Sequence, residues 1–155
     1  MMLRVLAIFV LLAAVPPGHE IVDLHDVWIG EPSIASRVVA ADYRAEVAVD
    51  PAALALAIAA LLAAPRLDRT RRKSEAGRTY DLRPLIVGLE ARVTPGGSAV
   101  LWMRLRHDPE RGAGRPDEVL AALAERLGGE MRVGLVCRER LWLAGERDEG
   151  TAIGR

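Results

Sequence analysis

Five charged side chains fall in two short motifs, Tyr80-Asp81-Leu82-Arg83-Pro84-Leu85-Ile86 and Arg115-Pro116-Asp117-Glu118-Val119-Leu120. Each motif sets an Arg-Pro step beside acidic residues where a loop meets a regular element. Residues two apart in an extended segment face the same side, so Asp81 and Arg83 can form a charged pair. With Arg115 and Asp117 they make a candidate small polar site. The competing reading is an ion-pair network that pins two loops together, since Arg-Pro-acid combinations suit turns. A second candidate is basic. Arg69, Arg71, Arg72, Lys73 and Arg78 surround the turn signal Ala76-Gly77 and could follow an RNA phosphate backbone. Asp68 and Glu75 dilute that patch and no aromatic residues interleave it, so a solvated hairpin over residues 66–78 competes.

Other chemistry is poorly served. Cys137 is the single cysteine, so no intramolecular disulfide can form. It lies in the apolar run Val133 to Cys137 with no base in view, and it reads as a small buried hydrophobe. His19, His25 and His107 lack ligand spacing, so no metal is expected. His25, within Asp23-Leu24-His25-Asp26, fits a solvated strand edge better than a ligand. Gly112-Ala113-Gly114 before a helix could cradle an anion, but Asp117 and Glu118 occupy the first turn and oppose one. No cofactor is expected. Trp28, Trp102 and Trp142 read as core or layer-edge residues rather than a stacking platform.

The elements that must position these groups follow from pattern. A chain of 155 residues suits one ordinary domain, and 51% hydrophobic with 4% aromatic residues points to an aliphatic core. Lys+Arg and Asp+Glu balance at 21 each, which gives no push towards nucleic acid, membranes or acidic substrates, and no DNA or membrane partner is expected. Glu20 to Trp28 alternates like a strand. Val38 to Val49 does so more clearly, with Val39, Ala41, Tyr43, Ala45 and Val47 on one face and Asp42, Arg44 and Glu46 on the other. Asp50-Pro51 starts a helix that runs to Ala64 and reads as well buried. Leu89 to Val93 and Ala99 to Arg106 form strands around Pro95-Gly96-Gly97-Ser98, the second alternating Ala99, Leu101, Met103 and Leu105 against Val100, Trp102, Arg104 and Arg106. Pro116 to Leu127 is an amphipathic helix stopped by Gly128-Gly129, and Met131 to Leu143 is a closing strand. The order from Val38 is that of an α+β, ferredoxin-like split β-α-β sandwich: an antiparallel sheet, two helices on one face and a projecting basic hairpin. Val5 to Val15 is an apolar run too short to span a bilayer. It reads either as the tail of a helix stopped by Pro16-Pro17 or as the h-region of a secretory signal.

Lys73-x-x-x-Gly77-Arg78-Thr79-Tyr80-Asp81-Leu82-Arg83-Pro84-Leu85-Ile86, then Leu101-Trp102-Met103-Arg104-Leu105, Arg115-Pro116-Asp117-Glu118-Val119-Leu120 and Arg140-Leu141-Trp142-Leu143 resemble a bacterial radical-SAM-linked family of unknown function. The similarity runs from about residue 16 to residue 143 and covers the later part of the family domain. It implies residues 1–17 as an apolar helical remnant, residues 18–143 as the domain and residues 144–155 as a flexible tail. It further implies a cytoplasmic accessory domain acting with a radical SAM protein, with RNA as a second candidate partner and RNA modification as the setting. Its alternatives are a stand-alone RNA-binding module and a structural subunit without activity. A radical SAM enzyme holds its cluster with three closely spaced cysteines, and one cysteine cannot do this. The chain is therefore not itself that enzyme and is expected to have no turnover alone.

Overall fold

The computed structural model describes residues 15–22, 28–70, 79–129 and 131–146. The chain divides into two compact units, Met1–Pro32 and Ser33–Arg155. In the first unit the described residues form two turns. One is closed by the His19 N–H on the Pro16 carbonyl at 3.1 Å, the other by the Glu31 N–H on the Trp28 carbonyl at 2.9 Å. No strand forms at Glu20, Ile21, Val22 or Trp28, and residues 23–27, His25 among them, lie outside the described residues. Residues 1–14, which hold most of the apolar run, also lie outside.

The second unit is mixed α+β, with an antiparallel sheet and three α-helices among the described residues. Its elements are α1 (Ile34–Arg37), β1 (Val38–Ala48), α2 (Pro51–Ala63), β2 (Asp68–Thr70), β3 (Thr79–Asp81), β4 (Ile86–Val93), β5 (Ala99–Asp108), β6 (Gly112–Ala113), α3 (Pro116–Arg126) and β7 (Arg132–Leu143). A 3₁₀ turn over Arg83–Leu85 joins β3 to β4. The strand order is β4-β5-β1-β7, with β6 added to the end of β5, while β2 and β3 pair separately. All of these pairings are antiparallel.

Local chemistry explains the element ends. The Asp50 Oδ2 accepts the Ala53 N–H at 2.8 Å and Pro51 stands at the first helical position, so α2 starts where its orphan donors are satisfied. Gly128 and Gly129, at φ +67° and +84°, end α3, and the Gly129 N–H reaches back to the Ala124 carbonyl at 2.8 Å. Between β4 and β5 the Thr94 N–H bonds the Ser98 carbonyl at 2.7 Å, with Gly97 at φ +79° supplying the turn.

Helices α2 and α3 cover one face of the sheet. Leu54, Ile58 and Leu61 from α2, with Val119 and Leu123 from α3, join Val47, Leu101, Met103 and Leu105 in the core. Helix α2 is not buried all round, as its composition suggested. It buries the stripe Leu54, Ala57, Ile58 and Leu61 and exposes Leu56, because a helix lying on a sheet has only one side to bury. Two short elements went unforeseen: α1, capped by Ser33 Oγ on the Ser36 N–H at 3.3 Å, and β6 inside the expected loop. The expected loose end after Leu143 is tied at its first residue, where the Ala144 N–H bonds the Arg37 carbonyl at 2.7 Å. Residues 147–155 lie outside the described set. No helix among the described residues is long and apolar enough to cross a membrane.

Candidate functional site

The structure brings Asp81 and Arg83 into one neighbourhood and gives both backbone work. Asp81 Oδ1 accepts the N–H groups of Leu67 at 2.8 Å and Arg83 at 3.0 Å. The Arg83 guanidinium donates to the carbonyls of Leu62 at 3.0 Å and Ile86 at 3.2 Å. These bonds fasten the segment after α2 to the β3–β4 junction, where Leu82 and Leu85 are fully buried. Both side chains line a cleft of about 680 Å³ with Tyr80, Pro84, Glu110 and Arg111. On its far side, Asp108 Oδ1 accepts the N–H groups of Glu110 and Arg111, both at 2.9 Å. Those bonds hold the Asp108 carboxyl below its ordinary range.

Arg115 and Asp117 stand elsewhere. Arg115 is the exposed N-cap residue of α3 and lines a different cavity, while Asp117 lines a groove between α3 and β7. The four residues therefore border three cavities, and Arg115 is not bonded to Asp81. Among the basic residues, Arg69 makes a two-pronged bond to Glu125, at 2.7 Å and 2.9 Å. That bond is the main reason the Glu125 carboxyl titrates below its ordinary range. Arg66 pairs with Asp68 at 2.6 Å, which raises the Arg66 pKa. Arg71, Arg72, Lys73 and Arg78 lie outside the described residues.

A third arrangement occupies the sheet face turned away from α2 and α3, and the motif search passed over it. Register sets Asp42 of β1 opposite Arg104 of β5. Their side chains meet through Nε–Oδ1 at 2.8 Å and Nη2–Oδ2 at 3.0 Å, and each residue is only 6% exposed. Bidentate geometry is what lets such a pair recover part of its desolvation cost. The Trp142 ring lies 4.3 Å from the Arg104 guanidinium carbon and 3.8 Å from that of Arg140. On the same face Arg44 Nε bonds Glu139 at 2.8 Å and Arg44 Nη1 bonds Glu46 at 3.4 Å. The Glu139 bond is the main cause of the raised Arg44 pKa. The register shift between Asp42↔Arg140 and Tyr43↔Arg138 inserts Glu139 as a bulge, which re-aims its carboxylate. Arg92 sits 5.9 Å from the Trp102 ring centre and bonds Glu90 at 2.9 Å.

Cys137 is half-exposed and paired in register with Arg44 on this polar face rather than buried in the core. It belongs to an edge strand, which an apolar run cannot reveal. Trp102 and Trp142 are layer residues as expected, whereas Trp28 is 77% exposed. Among the described residues no group of three His, Cys, Asp or Glu side chains could hold a metal ion. The polar face holds fixed guanidinium groups against rings and carboxylates. It presents planar groups and forked donors on one surface.

Residues 8–116 match the family described as "Uncharacterized protein conserved in bacteria (DUF2344)". The matched stretch contains Asp42, Arg83, Trp102, Arg104 and Arg115 and ends at the first residue of α3. No curated protein and no solved structure matches the chain.

Proposed function

The chain belongs to the conserved bacterial family DUF2344, and on that premise we propose that it is a non-catalytic accessory domain that docks on a radical SAM protein through the polar face of its sheet. One observation carries the reading: half-buried Trp102 stands on that face beside Arg92, with Arg44 opposite it on β1 and Arg106 further along β5. Trp and Arg are the residue types that most often carry binding energy at protein interfaces. Glu46, Glu90 and Glu139 interleave the arginines, and such a mixed-charge pattern suits another protein surface better than a phosphate backbone. The class of partner is supported by the resemblance carried by the two Arg-Pro motifs. The strand order supports reading the fold as ferredoxin-like. Counting the long strands only, β1 lies between β5 and β7, β4 lies outside β5, and the long helices follow β1 and β5. The cytoplasm is the compartment this role requires.

RNA is the second reading, favoured by the cation–π contact of Arg92 with Trp102 and by the basic residues of the 66–78 segment, read as a projecting hairpin. The ion pairs of Arg66 and Arg69 weigh against it, since phosphates would have to displace carboxylates. Calorimetric titration of the purified chain separates the two. The proposal expects that a radical SAM protein is encoded beside it and binds it saturably, with only weak, steeply salt-dependent binding of tRNA-sized RNA. Tight RNA binding that tolerates salt, with none to the protein, would replace the first reading with the second.

A further inference from the structure

At the start of α3 the described residues leave the helix side of the sheet uncovered, and a cavity of about 610 Å³ opens there. Its floor includes Ala41, Tyr43 and Leu141, brought together by the β1–β7 register, which sets Ala41 opposite Leu141 and Tyr43 opposite Arg138. Its polar rim is Arg115, Arg138 and His107. No acidic side chain is among the described residues that line it. Both arginines are exposed, and among the described residues neither guanidinium group is held by a hydrogen bond or an ion pair. This sets them apart from Arg44, Arg69, Arg92 and Arg104, all of which are engaged by carboxylates.

Helix α3 also begins here without a side-chain cap, because its N-cap is Arg115, which has no acceptor to offer. The first-turn acids do not fill the cavity. Asp117 opens onto the neighbouring groove beside Leu120 and Val133, and Glu118 lines neither space. We propose that this cavity binds a small organic oxyanion, a phosphate monoester or a carboxylate. Its anionic group would be held by Arg115 and Arg138, and its apolar body would rest on Tyr43 and Leu141. Guanidinium forks match both oxyanions, and an apolar floor with a few convergent polar groups is the usual make-up of a small-ligand site. The cavity lies on the helix side of the sheet and shares no residue with the docking face, so it does not depend on the proposed function.

The test is titration of the full chain with phenyl phosphate, benzoate and inorganic phosphate, followed by calorimetry and by backbone amide chemical shifts. The expected result is saturable binding of an aromatic anion more tightly than inorganic phosphate, with shifts at His107, Arg115 and Arg138. Affinity should fall at least about tenfold in the Arg115→Gln/Arg138→Gln variant and stay unchanged in Arg132→Gln, an exposed control. Preference between phenyl phosphate and benzoate assigns the anionic group. The site is overturned by absent saturation, by inorganic phosphate binding as tightly as the aromatic anions, or by equal losses in the double variant and the control. If the double variant fails to fold, the wild-type shift map decides, because shifts confined to another surface contradict the proposal.

Discussion

The same strands build two unlike faces. On the helix side, Ala45, Val47, Leu101, Met103 and Leu105 pack beneath α2 and α3, and the stabilising term is removal of aliphatic surface from water. On the other side, Asp42, Arg44, Glu46, Trp102 and Arg104 occupy the alternate positions of β1 and β5 and meet through register. Aliphatic packing is non-directional and tolerates neighbours of similar volume. An array of guanidinium groups, carboxylates and rings depends on alignment across four strands. The first face serves stability and the second is the one we propose for recognition, with one exception: the buried Asp42–Arg104 pair, which lies on the second face but is shielded from any partner.

That exception gives the largest expected effect. Arg104→Ala strands the Asp42 carboxylate in a site only 6% exposed, and unfolding measurements should show a loss of about 3–5 kcal/mol. Replacing both members with apolar residues should cost much less than the sum of the single losses; additive losses would mean the two do not act as a pair. On the aliphatic face Leu101→Ala removes a fully buried side chain, and denaturant melts should register about 2–5 kcal/mol. That variant should leave partner affinity unchanged at temperatures where it is folded. A loss confined to binding would blur the division between the faces. Glu125→Gln should have the smallest effect, about 0.2–1 kcal/mol, since the carboxylate side of its pair is largely exposed. Its sign with pH is fixed by the lowered Glu125 pKa. The stabilisation by Arg69 is present above the ordinary glutamate range and is lost as pH falls through the depressed folded-state value. Acid titration of the variant should therefore show a shallower decline than that of the parent chain.

Much of this frame was legible along the chain because it is local. The Asp50-Pro51 start, the Gly128-Gly129 stop and the alternation in β1 and β5 are each written within a dozen residues. The polar face was half legible: the alternation placed Asp42, Arg44 and Glu46 together, and likewise Trp102, Arg104 and Arg106. Which acid meets which arginine is decided by register between strands about sixty residues apart, and by the bulge at Glu139, neither of which leaves a local signature. Asp81 and Arg83 show the opposite case. Their spacing suggested a facing pair, but the 3₁₀ turn at Arg83 breaks the extended geometry that the argument assumed and sends both groups to backbone partners.

Trp102→Ala tests the central claim most directly, because the side chain is half-exposed and lies on the face assigned to recognition. The measurement is calorimetric titration of the proposed partner, a purified radical SAM protein, with the parent chain and with this variant, each first shown to melt at a similar temperature. The account predicts saturable binding by the parent chain and a loss of at least about 2 kcal/mol in the variant. Equal affinities, or no binding by the parent chain, would contradict it.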